Sequence, residues 1–307
     1  QHQRKNLSIS GTLEIDGATR HFTRLPQRDG ALTDENGVAL PENAMTGMLL
    51  GASSNGMRPI MVHMRVDFAV LSMEPLVNQA AKWHYMYGGK MRAPLTVRMT
   101  IGQGWGQGPQ HSQALQAWFA HIPGLKVLTP ATVEDARGML WTALQDPDPV
   151  LIFENVMLYN REEAIDTNAG PVDISRAAIR REGDDLTLIT YGGSLFKTLE
   201  AAEALAADGI SAEVIDLRSL RPLDDQTIMA SLARTRRAVI VDEGWRTGSL
   251  AAEISARIME QTFWTLDAPV GRVCSAEVPI PYPKHLEDAA IPQVAGIVAM
   301  AKSVMGR

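Results

Sequence analysis

The chain has 307 residues, 45% of them hydrophobic, and a net charge of -6, which fits about two globular domains with sizeable cores. No Lys/Arg cluster suggests nucleic acid as a partner, and no apolar run approaches the ~20 residues of a membrane helix. The opening QHQRKNLSIS lacks the apolar core of a secretory signal and Cys274 is the single cysteine, so a cytoplasmic chain with Cys274 as a small buried residue is expected.

In chain order, residues 12–25 alternate around Asp16-Gly17, a hairpin signal. Residues 43–56 read as a helix with Gly47 and Gly51 on one face, and residues 58–64 as a strand. A long helical pattern over 68–86 is interrupted near Pro75. Residues 94–100 form a strand, and the glycine-rich loop IGQGWGQGPQHSQ follows over 101–113. Residues 126–146 predict a strand and then a helix, with Thr129 as candidate cap and Pro130 at its first position. The apolar run Pro149-Val150-Leu151-Ile152-Phe153-Glu154 closes this half, and the polar stretch 160–185 reads as a linker. Beyond it, strands (186–193, 212–217, 237–244, 270–275) alternate with helices (194–209, 223–235, 249–261, 291–305). Strands separated by helices imply a mostly parallel sheet. The expected units are 1–168, with residues 1–39 atypical, and 169–307.

Taken singly, the chemically interesting residues have ordinary explanations. Pro41-Glu42 is good helix-start chemistry, because a carboxylate there meets the helix dipole. His111 ends the glycine-rich loop just after a strand, where α/β sheets tend to bind ligands. That loop has neither the dinucleotide G-x-G-x-x-G at a strand-to-helix turn nor a phosphate loop ending in G-K-[ST]. Met45, Met64 and Phe68 would usually belong to a core.

The ordered blocks PENAMTGMLLGASSNGMRPI, VNQAAKWHYMYGG, QHSQALQAWFAHIPGLKVLTPATVEDARG, DPDPVLIFEN, DLRSLRPLD and VPIPYPKHLEDAAIPQV change the odds. From about Leu40 to the C-terminus the chain resembles the β subunit of the decarboxylating component of pyruvate and related 2-oxo acid dehydrogenases, among the transketolase-like thiamine diphosphate enzymes. The resemblance implies an α/β fold of two transketolase-like domains, a pyrimidine-binding domain and a transketolase C-terminal domain, each a mostly parallel sheet flanked by helices. It implies that Glu42 hydrogen-bonds the cofactor's aminopyrimidine ring, that Phe68 packs on that ring, and that Leu40 and Met64 are apolar contacts. It implies that His111 faces the reacting carbon, and that the loop around Asp146 and Asp148 matches a site where relatives can hold potassium. Two departures stand out: Pro41 is directly adjacent to the acid, and residues 1–39 lack the family's opening helix and strand.

In the chemistry so implied, the acid promotes the imino tautomer that deprotonates the thiazolium carbon, among apolar neighbours that disfavour its charged form. That carbon attacks the keto carbon of a small 2-oxo acid, carbon dioxide leaves, and the acyl fragment passes to a lipoyl group, with His111 the candidate proton donor. The sequence has no G-D-G motif for Mg²⁺ and diphosphate. The resemblance places that motif on a separate α subunit, in an α2β2 heterotetramer docked on a lipoyl acyltransferase core. The Q-H-S-Q form and the MYGG turn lie closer to pyruvate or acetoin relatives than to branched-chain ones. Two rivals are a non-catalytic docking subunit and a self-contained transketolase-type enzyme; the second is disfavoured by length and the missing diphosphate motif.

Overall fold

A computed structural model describes residues 10–15, 18–23, 42–166 and 168–307. Leu40 lies outside the described residues, as does the Asp16-Gly17 turn. The expected hairpin is present as β1 (Ser10–Ile15) and β2 (Ala18–Thr23), antiparallel with Ser10 opposite Thr23.

The first unit carries α1 (Glu42–Ser54), β3 (Ile60–His63), α2 (Val66–Ala69), α3 (Trp83–Met86), β4 (Thr96–Ile101), α4 (Gln116–Ala120), β5 (Lys126–Leu128), α5 (Val133–Gln145) and β6 (Val150–Asn155). Its sheet has the order β10-β5-β6-β4-β3, where β10 (Ser219–Arg221) comes from the second half of the chain. Strands β3 to β6 pair in parallel, and β10 joins β5 antiparallel. Val97, Met99, Val150, Leu151 and Phe153 are fully buried, as expected for parallel strands covered on both faces. The helical pattern of residues 68–86 is broken into short pieces: α2, a 3-10 turn (Val70–Ser72), a wide π turn (Glu74–Ala80) and α3. Pro75 is the second residue of the π turn; its missing N–H removes one α-helical hydrogen bond at that point.

Helix α5 starts three residues later than expected. Its cap is Thr132, whose side chain accepts from the Asp135 N–H, not Thr129. Thr129 N and Oγ1 both donate to the Arg218 carbonyl, at 2.7 and 3.1 Å, so Thr129 prolongs the sheet pairing instead.

The second unit carries β7 (Ala178–Arg181), β8 (Leu186–Thr190), α6 (Ser194–Ala207), β9 (Ala212–Asp216), α7 (Asp225–Thr235), β11 (Ala238–Trp245), α8 (Leu250–Thr262), β12 (Gly271–Ser275), α9 (Lys284–Ala290) and α10 (Val294–Val304). Its sheet order is β12-β11-β8-β9-β7, parallel except for β7. Strand β7 lies within the stretch read as a linker. Its residues Ala-Ile-Arg-Arg are only partly buried, so this edge strand lacks the apolar signature of its neighbours.

The two units share one apolar core, in which Phe119, Leu125 and Phe153 join Tyr191, Leu220 and Leu250. An ionic cluster also crosses between them. Arg180 of β7 pairs with Asp216 at 2.9 Å and with Asp135 of α5, and Arg218 lies 3.3 Å from Asp135. Burial pushes the Asp216 carboxyl up to about 6, against the pull of Arg180.

Candidate active site

The relevant residues gather at the carboxyl ends of β3 and β4, where open parallel sheets form crevices. Strand β3 runs into Met64, then Arg65 in extended conformation at the start of α2, then Phe68 within it. Strand β4 runs into the glycine-rich loop that leads to His111. The Phe68 and His111 rings meet edge to face, with centroids 5.3 Å apart and planes at 68°, a favoured aromatic arrangement. Met64 is 61% exposed and Phe68 38% exposed. They form an uncovered apolar platform beside an imidazole, not part of the core.

Glu42 is the first residue of α1 and is half-buried. A helix joined to its following strand by a short connection runs back along it, so Glu42 lies toward the β3 end that leads to Met64. Thr46, one turn further along α1, fixes this placement. Its Oγ1 donates to the Glu42 carbonyl at 2.8 Å and lies 3.0 Å from Ser72 Oγ and 3.2 Å from Met61 Sδ. Helix α1 is thereby tied to β3 and to the turn directly after Phe68. Among the described residues, none hydrogen-bonds to the Glu42 carboxylate.

Several polar residues around this platform escaped the sequence reading. Buried Arg65 donates through Nε and Nη2 to Gln107 Oε1, the first at 2.7 Å, and through Nη1 to the Gly102 carbonyl at 3.2 Å. Asp67 Oδ1 accepts from Gln113 Nε2 at 2.7 Å. The turn that bears Met64 and Phe68 therefore grips both ends of the loop that bears His111. The available signal was R-V-D immediately before Phe68, charged residues where a buried strand ends. Nearby His63 is buried, with its pKa driven down to about 4 by desolvation; it stays neutral and points inward with the β3 pattern.

At the junction with the second unit, Asn155 Nδ2 donates to Glu243 Oε2 at 2.6 Å, and Tyr191 donates to Asp242 Oδ1 at 2.5 Å. Gln116 Nε2 donates to the Tyr191 hydroxyl at 3.1 Å. Burial raises the Glu243 carboxyl to about 7, against the pull of Lys197.

Asp146 and Asp148 stand elsewhere, before the amino end of β6 and so at the opposite end of the sheet from His111. Lys126 Nζ lies 2.5 Å from Asp146 Oδ2 and 3.7 Å from Asp148, while Arg92 pairs with Asp148 at 2.9 Å. Arg58 Nη1 donates to the Leu144 and Asp146 carbonyls at 3.1 and 2.8 Å. The two carboxylates are engaged by the chain's own cations, and as side-chain ligands for potassium they do not fit. Among the described residues no three His, Cys, Asp or Glu side chains are grouped for a metal ion.

Residues 28–162 match the transketolase pyrimidine-binding domain family, and residues 175–297 match the transketolase C-terminal domain family. The pyruvate dehydrogenase E1 component subunit beta-1, mitochondrial, of Arabidopsis thaliana is 44% identical over 268 residues, covering 86% of this chain and 74% of that protein. The acetoin:2,6-dichlorophenolindophenol oxidoreductase subunit beta of Cupriavidus necator is 42% identical, covering 87% and 79%. The chain belongs to the pyruvate dehydrogenase E1 β-subunit family. A split-gene transketolase solved as an inactive β4 tetramer shares the fold, with a TM-score of 0.73 at 23% identity, covering 88% of this chain and 83% of that one.

For an E1 β-type chain, the family blocks now have visible places. QHSQ closes the glycine-rich loop, ENAMTG opens α1, and PYPKHLED leads into α9. The family's first domain match begins at residue 28, within the stretch 1–39 that reads as atypical from the sequence alone.

Proposed function

We propose that this chain is the β subunit of a thiamine-diphosphate-dependent 2-oxo acid dehydrogenase of the pyruvate type, decarboxylating and lipoyl-acylating. It supplies the aminopyrimidine-activating half of a site shared with an α subunit in an α2β2 assembly. The observation that carries this reading is the meeting of Phe68 and His111 beside exposed Met64, on the edge to which the Glu42 helix is tied. The names of the relatives and the absence of a G-D-G motif support the division of labour between subunits.

The residues present fit the cofactor's pyrimidine half. An exposed aromatic and a thioether suit a flat heteroaromatic ring, and a carboxyl group without a described partner suits a ring nitrogen. When bound, thiamine diphosphate supplies the electron sink for decarboxylation. Met64 and Phe68 hold the ring, Glu42 holds a proton at its nitrogen, and the platform excludes water from one face. His111 donates a proton to the lipoyl sulfur during acyl transfer. Mg²⁺ and the diphosphate fall to the α subunit, and a lipoyl acyltransferase core is the acceptor.

Glu42→Gln tests this. Glutamine keeps the shape of the side chain but cannot act as the acid. In the assembled complex, decarboxylation of pyruvate is expected to fall by about 10²-fold or more, with the melting temperature lowered by no more than about 3 °C through the lost helix-dipole interaction. Wild-type turnover would return Glu42 to the role of a helix-start residue.

A further inference from the structure

The second unit reaches into the glycine-rich loop, and nothing in the proposed chemistry requires it to. Glu287 of α9 is completely buried, and its Oε1 accepts the Gly104 N–H at 2.6 Å. Gly104 has φ of +118°, a conformation open to glycine and strained for other residues; it aims this N–H out of the first unit. Gly108, at φ +70°, lies so close to the Tyr282 ring that a Cβ there would run into it. A Cβ on Gly106 would lie 3.3 Å from the Tyr282 carbonyl oxygen. Three glycines of one loop are thus fitted to the segment 282–287.

The first unit holds the same loop from the other side. Arg65 binds Gly102 and Gln107, and Asp67 binds Gln113. The negative charges of Asp67 and Glu287 both bear on Arg65, opposing the lowering of its pKa by burial. Burying a carboxylate is costly unless it is compensated. The Gly104 N–H and the charge of the nearby Arg65 guanidinium offset part of that cost, while Glu287 Oε2 is buried without a hydrogen-bond partner among the described residues. His111 lies between the anchored Gly108 and the anchored Gln113.

We infer that the Tyr282–Glu287 segment positions the His111 loop, with Glu287 acting as a positioning residue for acyl transfer. The second unit then shapes the reaction site. Misplacing a reacting group by about 1 Å can cost on the order of 10²-fold. Glutamine keeps an oxygen that can accept the Gly104 N–H, and alanine does not.

This inference rests on the proposed role of His111, so the test separates the two. Wild type, Glu287→Ala, Glu287→Gln, His111→Ala and the Glu287→Ala/His111→Ala double variant are assembled with an E1-type α subunit. Each is assayed for lipoyl-domain acylation and for decarboxylation with an artificial electron acceptor. Hydrogen exchange is followed at residues 104–113 in the same complexes. Glu287→Ala is expected to raise exchange in the loop and to lower acylation by about 10- to 10²-fold, with acceptor-linked decarboxylation within about threefold of wild type. Glu287→Gln is expected to recover both, and the double variant to lose no more than His111→Ala alone. Unchanged exchange in Glu287→Ala, additive losses, or equal loss in both assays would overturn the positioning role. If His111→Ala leaves acylation intact while Glu287→Ala still loosens the loop, the reading of His111 fails and the grip on the loop stands. If Glu287→Ala does not fold, Tyr282→Ala replaces it. That side chain is 63% exposed and its removal spares the core; raised loop exchange supports the inference, and unchanged exchange overturns it.

Discussion

Replacing Glu243 with glutamine is expected to flatten the pH dependence of stability between about 4.5 and 7. Glu243 sits near the end of β11, hydrogen-bonded to Asn155 of the first unit. What surface it retains faces a narrow cleft lined by Gln103, Ser112 and Trp245. Desolvation raises its carboxyl from 4.5 to about 7. The folded chain therefore keeps a proton that the unfolded chain releases near pH 4.5. Across that window the folded state binds more protons, so stability falls as pH rises, and above about 7 the full cost remains. At about 1.4 kcal/mol per pH unit the shift corresponds to about 3 kcal/mol, and the remaining contact with the cleft trims this to about 2 kcal/mol. Glutamine cannot ionise but keeps an oxygen for Asn155. Lys197, whose pKa is lowered by burial, loses a countercharge in the variant, which offsets part of the gain at high pH. Urea denaturation at pH 5, 6, 7 and 8 and constant ionic strength measures the effect. Taking the difference between the two proteins cancels shared contributions such as Asp216 and His63. The difference should grow by about 1–2 kcal/mol from pH 5 to pH 8 in favour of the variant; parallel profiles would refute the assignment of a buried, proton-holding Glu243.

Two further outcomes concern the site directly. His111→Ala in the assembled complex is expected to lower lipoyl acylation by about 10²–10⁴-fold while sparing decarboxylation followed with an artificial acceptor; equal losses would remove it from acyl transfer. The chain without an α subunit is expected to bind thiamine diphosphate weakly, with calorimetry showing no tight Mg²⁺-dependent isotherm.

Much of the fold was legible because parallel strands buried on both faces leave long apolar runs, as in Val150-Leu151-Ile152-Phe153, and helices leave 3.6-residue periodicity. What escaped reading obeys other rules. Strand β7 is a polar edge, and β10 is three residues long and pairs with the other unit's sheet. The α5 cap was misplaced by three residues because Thr129 and Thr132 are both plausible caps; a long-range bond to Arg218 decides between them. At the site, Glu42, Phe68 and His111 were named through family motifs, since each alone has an ordinary structural explanation. Arg65, Asp67 and Glu287 were not named. Their roles depend on contacts spanning from 37 residues, in Arg65 to Gly102, to 183, in Gly104 to Glu287, which no local pattern encodes.

The half of a shared active site proposed for this chain can be tested as a whole. Its most direct test is reconstitution with an E1-type α subunit, Mg²⁺ and thiamine diphosphate, measuring decarboxylation of pyruvate, 2-oxobutyrate and branched 2-oxo acids and, alongside, turnover of acetoin. Turnover is expected only when both subunits are present, with small substrates preferred. Activity from this chain alone would contradict the shared site, and inactivity with an α subunit that forms a stable complex would make it a docking subunit.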